Sequence, residues 1–268
     1  MKPTLCILLT ALLMLLCTQA LAGSADAVWP EPGGIVEVNG KMQLDLSHLD
    51  KGYVLCCVAE QSKHKFMARV TLGKGKLNYE LSGDGTEVVL PLQMGSGKYE
   101  IALFENVKGN KYAAAGQLTF EVQLADQNAP FLVTNQYVDY NRYTAAVLKS
   151  DELCGDMAPG DKYRAIIDYI SQNYGYDFAR AKKIKAGELP NIDYCYESKM
   201  GICQDLSAMM CCMLRVQGIP CKLVIGYADK YYHAWTVAVM NGEEMFFDPT
   251  ESVGALYGIK KYKQERVY

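Results

Sequence analysis

The sequence predicts an α+β chain in two parts, with an N-terminal all-β, immunoglobulin-like sandwich over residues 35–125 and an α+β domain over residues 126–268. Two observations carry this. From Ile35 to about Leu124 short alternating segments are separated by glycine-rich turns, the pattern of a sheet sandwich. Beyond Pro130 the apolar period lengthens to that of a helix, and strands return only later.

The first residues read as a signal peptide. Lys2 gives a positive start, Leu5 to Cys17 is a nearly unbroken apolar run, and Ala20-Leu21-Ala22 supplies a small-x-small cleavage pattern. The run is shorter than the roughly 20 residues a membrane span needs. Cleavage is expected after Ala22, leaving 23–34 as a linker and a secreted, extracellular chain with no membrane association. Leu16, ahead of Cys17, is too large for a lipoprotein signal.

Eight strands are expected next, beginning near Ile35, Met42, Tyr53, Lys65, Lys76, Thr86, Tyr99 and Gly116. Asn39-Gly40, Gly73-Lys74-Gly75, Gly95-Ser96-Gly97 and Gly109-Asn110 mark turns between them. Tyr99, entering a strand after Gly97-Lys98, fits a tyrosine corner, the immunoglobulin-like signal. Adjacent strand residues Cys56 and Cys57 must face opposite sides, so one is expected in the core and the other outside.

In the second half Tyr163, Ile166, Ile167, Ile170 and Tyr174 share one helical face, between the start signal Pro159-Gly160-Asp161 and the stop at Gly175. A second helix runs from Cys203 to about Val216 and ends at Gly218-Ile219-Pro220. Its body, Met209 to Leu214 with Cys211 and Cys212, reads as core packing. Strands follow at Cys221 and His233, and Asn241-Gly242 turns the second into a third. The closing KKYKQERVY is expected to be a solvated tail.

Composition narrows the function. The 268 residues carry a formal net charge of −3 and no basic block, which argues against nucleic acid. Eight of the ten cysteines remain after cleavage at Ala22, a count that permits disulfides without requiring them. No C-x-x-C pair suggests zinc, no EF-hand loop or acidic cluster suggests calcium, and no glycine-rich phosphate loop occurs. No cofactor and no metal are therefore expected.

The chemistry centres on Cys203. A cysteine in the first turn of a helix sits where backbone N–H groups and the helix dipole favour a thiolate. Gly201 would allow a sharp turn and leave room for a substrate. His233 is the sole imidazole of the second half, since His48 and His64 lie in the sandwich. Asp248 lies at a similar distance from the Asn241-Gly242 turn as His233, which brings the two side by side across the hairpin. Nucleophile, base and orienting carboxylate make an acyl-transfer set. Asp205 reads as a helix cap and Arg215 as an anchor for the helix end.

Gly201-Ile202-Cys203-Gln204-Asp205, the run Arg215 to Pro220, Gly226-Tyr227, His233-Ala234-Trp235 and Phe247-Asp248-Pro249-Thr250, in that order, resemble the motifs of the transglutaminase-like superfamily. The resemblance runs from about Asp161 to Ser252 and includes Tyr176-Asp177. It implies a papain-like core, with Cys203 as nucleophile, His233 as general base and acid, and Asp248 as orienter. Gly201, Asp205, Gly218 and Pro220 belong to its structural motif. Eukaryotic transglutaminases carry Trp after the nucleophile, where this chain has Gln204. The oxyanion needs two donors. The Cys203 N–H is one, and Gln204, Tyr194 or Tyr196 is the other. Trp235 either packs beside the histidine or lines the cleft.

The expected function is a secreted, bacterial-type cysteine acyl-transfer enzyme acting on peptide or protein amides, including cell-wall-associated ones, through a Cys203 thioester. Water as acceptor makes it a protease or amidase, and an amine makes it a transglutaminase. The alternative is a catalytically inert module binding extracellular protein or polymer.

Overall fold

The computed structural model describes residues 27–268, so the expected signal peptide and the start of the linker lie outside the described residues. Eight strands come first: β1 (Val36–Asn39), β2 (Met42–Asp45), β3 (Tyr53–Val58), β4 (Phe66–Leu72), β5 (Gly75–Leu81), β6 (Val88–Pro91), β7 (Gly97–Lys108) and β8 (Lys111–Val122). They make two antiparallel sheets, ordered β1-β2-β3-β6 and β5-β4-β7-β8. Alternation explains the packing. Phe66, Ala68 and Val70 of β4 and Leu77, Tyr79 and Leu81 of β5 point into one core with Leu44, Val54 and Cys56 of the other sheet. The intervening Arg69, Asn78 and Glu80 face outward. Tyr99, near the start of β7, closes the corner, its hydroxyl donating to Leu92 O at 2.7 Å and accepting from Met94 N at 3.1 Å.

Cys57 departs from the expectation. It is buried, as is every residue of β3. The outward side of β3 is covered because Val28 and Val133, from before and after the sandwich, pack on Tyr53 and Leu55. Period two assigns a face to each residue but does not say what lies over it.

The rest of the chain forms α1 (Ala145–Cys154), α2 (Pro159–Asn173), β9 (Gly175–Tyr176), α3 (Phe178–Ala181), α4 (Ile192–Ser198), β10 (Met200–Gly201), α5 (Cys203–Arg215), β11 (Cys221–Ala228), β12 (Tyr231–Met240), β13 (Glu243–Phe247), α6 (Pro249–Ser252) and β14 (Tyr262–Val267). The strands β13-β12-β11-β14 make one sheet. Helix α5 lies against β11 and β12, and every residue from Asp205 to Arg215 is buried. A helix apolar on all sides belongs inside a fold. At the β12–β13 turn Asn241 and Gly242 both take positive φ, 53° and 80°, as a tight hairpin requires.

The closing segment is not a solvated tail. Residues 262–267 form β14, an edge strand antiparallel to β11, and Tyr268 is buried. Lys263, Gln264, Glu265 and Arg266 face water, which made the segment read as tail; charged side chains are how exposed sheet edges are protected. Tyr268 stacks on Tyr137 at 3.5 Å between ring centroids and meets Tyr79 of the sandwich edge-on.

Arg215 ties these parts together. It is fully buried, and its guanidinium donates to Cys221 O at 2.9 and 2.7 Å, to Val133 O at 2.6 Å and to Tyr268 O at 2.9 Å. The planar fork reaches three separate segments, which a lysine cannot do. Past it, Gly218 at φ 73° ends the helix, and Pro220 O accepts from Val239 N of β12 at 2.8 Å.

Candidate active site

Cys203 is the first residue of α5 and is partly exposed, whereas the other seven described cysteines are buried. The start of α5 is fixed by Asp205. Its carboxylate accepts from Ile202 N at 3.2 Å, Asn191 N at 2.9 Å and Arg180 Nε at 2.9 Å, and is wholly buried. Asp205 therefore does cap the helix, and it also binds the loop before α4 and the arginine of α3. Arg180 in turn bridges to Glu188 at 2.8 Å.

Gly201 has a different role from the one expected. Its φ is not positive, and a Cβ there would lie 2.7 Å from Cys195 Sγ and 3.2 Å from Asp205 Cβ. The glycine is needed for close packing under the helix start, and a protein thiol fills the room expected for substrate. Gly201 also pairs in parallel with Tyr176, which sets that tyrosine beside the nucleophile.

His233 lies in β12 opposite Gly226 of β11. Its Nε2 makes a 2.8 Å hydrogen bond with Asp248 Oδ2, leaving Nδ1 for the sulfur of Cys203, which lies in hydrogen-bond reach of the ring. Asp248 follows β13, beyond the last ladder pair Thr236–Phe247, and caps α6. Its Oδ1 accepts from Thr250 N at 2.9 Å, and Oδ2 accepts from Tyr262 Oη at 2.8 Å as well as from His233. Both oxygens are engaged, so the carboxylate has little freedom to rotate.

Electrostatics follows from these contacts. Burial works to lower the His233 pKa, but hydrogen bonds to Asp248 and Cys203 outweigh it and push the value up to about 9. Burial works to raise Asp248, and the hydrogen bonds from His233, Tyr262 and Thr250 N hold it below the usual carboxylate range. The ring is thus favoured as imidazolium between two potential anions.

A cavity of about 590 Å³ opens over Cys203 and His233, walled by Tyr176, Phe178, Tyr231, Tyr232, Leu256 and Tyr257. Trp235 does not line it. The indole is buried, lies nearly parallel to the His233 ring at 6.3 Å and meets Tyr262 edge-on at 5.1 Å. Of the three side chains considered for the oxyanion, none lines this cavity. Gln204 Nε2 donates to Glu188 O at 3.0 Å. Tyr194 Oη donates to Asp177 Oδ2 at 2.6 Å, in a separate polar pocket with Arg180 and Glu188. Tyr196 packs under Lys199, whose Nζ sits 3.9 Å from its ring centroid. Of the tyrosines that line the cavity, Tyr176 lies beside the backbone amide of Cys203. Its pKa is raised to about 12, first by burial and then by the neighbouring Cys203 and Asp205.

Residues 149–249 match the model of the transglutaminase-like superfamily. This part of the chain belongs to that superfamily. The transglutaminase-like segment thus spans α5, β11 and β12 and ends one residue past Asp248. Over 73 residues the chain is 34% identical to the uncharacterized protein YebA of Bacillus subtilis (strain 168), which is 27% of this chain and 10% of that one. A solved protein from Cytophaga hutchinsonii is 15% identical with a TM-score of 0.42, covering 75% of this chain and 80% of its own. The periplasmic domain of TgpA from Pseudomonas aeruginosa gives 15% and 0.38, covering 84% of this chain and 78% of its own. The transglutaminase-like model stops before β14, so Tyr262 lies outside the matched segment.

Among the described residues no group of three His, Cys, Asp or Glu side chains is placed to hold a metal.

Proposed function

We propose that the protein is a cysteine acyl-transfer enzyme acting on peptide or protein amides. The observation that supports it is the convergence of Cys203, His233 and Asp248 at the floor of one open cleft. The Cys203 thiolate attacks the carbonyl carbon, and its electron pair moves to oxygen. As the tetrahedral intermediate collapses, the C–N bond breaks and imidazolium His233 gives its proton to the leaving amine. A thioester remains on Cys203. Water or an amine then attacks it, His233 takes the proton from the acceptor, and the thiolate leaves. Hydrolysis is the favoured fate, and transamidation follows the same path with a different acceptor.

Cys203 N–H and Tyr176 Oη supply the two oxyanion donors in this reading. Tyr176 stays protonated with its pKa near 12, so it has a proton to donate, and it stands where the other three candidates do not. Asp248, held by Tyr262 and by the start of α6, keeps the ring turned toward sulfur. The chain is exported by its N-terminal segment, and an immunoglobulin-like sandwich over 35–125 carries the acyl-transfer domain over 126–268. The order β1-β2-β3-β6 against β5-β4-β7-β8 and the Tyr99 corner support that description of the sandwich.

The test is site-resolved alkylation with limiting iodoacetamide from pH 5 to 8. Cys203 is expected to react well ahead of the other thiols near pH 6 and to lose that lead in His233→Ala. Equal, slow labelling in both proteins would refute the reading and leave an inert binding module.

A further inference from the structure

The walls of the cleft carry information beyond the reaction. Phe178, Tyr231, Tyr232 and Tyr257 are 61%, 53%, 53% and 75% exposed, yet all four face one cavity. Scattered exposed rings are ordinary, but four converging beside a reactive thiol mark a binding surface. Tyr257 stands on the loop after α6. At Gly254 the backbone takes φ +79°, and a Cβ would fall 2.7 Å from Tyr257 Oη, so glycine lets this ring fold back against the loop.

The polar side of the cavity is equally selective. Among the described residues no Asp, Glu, Asn or Gln lines it. Apart from the thiol–imidazole pair, its one charged side chain is Lys182, which is exposed and makes no ion pair among the described residues. Sugar sites also use aromatic platforms, but they pair them with planar carboxylates and amides that bind vicinal hydroxyls. Those groups are missing from this wall. The chemistry left is an apolar side chain for the rings and an anion for the lysine.

We propose that the cleft selects peptides with a bulky, preferably aromatic, side chain next to the reacting amide and a carboxylate close by. Phe178 and Tyr257 hold the apolar group and Lys182 pairs with the carboxylate. This deepens the acyl-transfer reading and rests on it. Lys182 is a specificity residue here, because a single unopposed cation beside a low-dielectric wall attracts anions and repels cations.

The experiment incubates the wild-type protein with a mixture of synthetic peptides, with glycine ethyl ester as an alternative acceptor. Loss of each parent peptide is followed by mass spectrometry, so hydrolysis and transamidation both count. The mixture pairs Phe, Leu and Gly beside the amide with Glu, Gln or Lys nearby, and includes glycan-bearing peptides. Phe–Glu peptides are expected to be consumed about tenfold faster than Phe–Lys peptides at low salt, and the preference shrinks as salt rises. In Lys182→Glu the charge preference reverses. In Phe178→Ser the advantage of Phe over Gly falls, mainly through KM. Iodoacetamide labelling of Cys203 on the same preparations reports the thiol–imidazole pair independently. A reactive Cys203 with indifference to peptide charge and side chain overturns the proposal and leaves acyl transfer standing. Consumption of glycan-bearing peptides alone assigns the rings to sugar and also overturns it. A Cys203 no more reactive than the buried thiols defeats the underlying reaction and the proposal together.

Discussion

Removing one hydroxyl, in Tyr262→Phe, tests how the site is wired. Tyr262 Oη and His233 Nε2 both reach Asp248 Oδ2, each at 2.8 Å. A hydrogen bond to a charged group contributes about 1.5–3 kcal/mol, and Tyr262 is only partly buried, so the lower end applies. Without that donor the carboxylate becomes a stronger partner for the imidazolium. One pH unit corresponds to about 1.4 kcal/mol, so the His233 midpoint rises from about 9 by less than roughly one unit. Asp248→Asn removes the charge itself and moves the midpoint down. Imidazole titration by NMR is a clean assay, since the chain has three histidines. A downward shift in Tyr262→Phe, or no shift in either variant, would refute the account of Asp248 as a carboxylate shared by two donors.

Three other outcomes are expected. Arg215→Met leaves Val133 O and Cys221 O without their guanidinium donors, whereas Tyr268 O keeps Leu223 N at 2.8 Å; a loss of about 3–5 kcal/mol should lower the urea midpoint by more than about 1 M. The His233 pKa is raised from 6.5 to about 9, so its contribution is full below pH 6.5 and disappears as pH rises through 9. It is on the order of 3 kcal/mol, and unfolding free energies from urea titrations across that window should fall in the wild type by that much more than in His233→Ala. Gly226→Ala would place a Cβ 2.1 Å from Lys263 O. It should cost about 1–3 kcal/mol and release β14, seen as lost amide protection over residues 262–267.

The strands of the sandwich, α2, α5 and the Asn241-Gly242 hairpin were legible because each has a strong period and a turn or cap at its end. Cys203 and His233 were legible for a similar reason: one opens a helix and the other stands in a strand beside it. Asp248 was found by counting outward from the hairpin turn, although the ladder ends at Phe247 and the carboxylate reaches the ring from a helix cap. What was not legible depends on tertiary placement. Tyr176 reaches Cys203 through a two-residue parallel bridge, too short to leave a pattern. The nineteen tyrosines of the chain hide the one at position 262. Gln204, Tyr194 and Tyr196 are near Cys203 in sequence, but helix geometry turns them to other pockets.

The order in which the chain is made adds a consequence. The thiol, the imidazole and the carboxylate stand at positions 203, 233 and 248, but the strand that braces the carboxylate begins at 262 and the residue stacked against Tyr137 is 268. Domains form from the N-terminal side as synthesis proceeds. A partly synthesised chain can therefore hold all three reactive groups while β11 still has a bare edge, Asp248 lacks one donor and Arg215 lacks its bond to Tyr268. Full bracing of the reactive centre waits for residues 262–268, so the thiol, imidazole and carboxylate are all present before their support is complete.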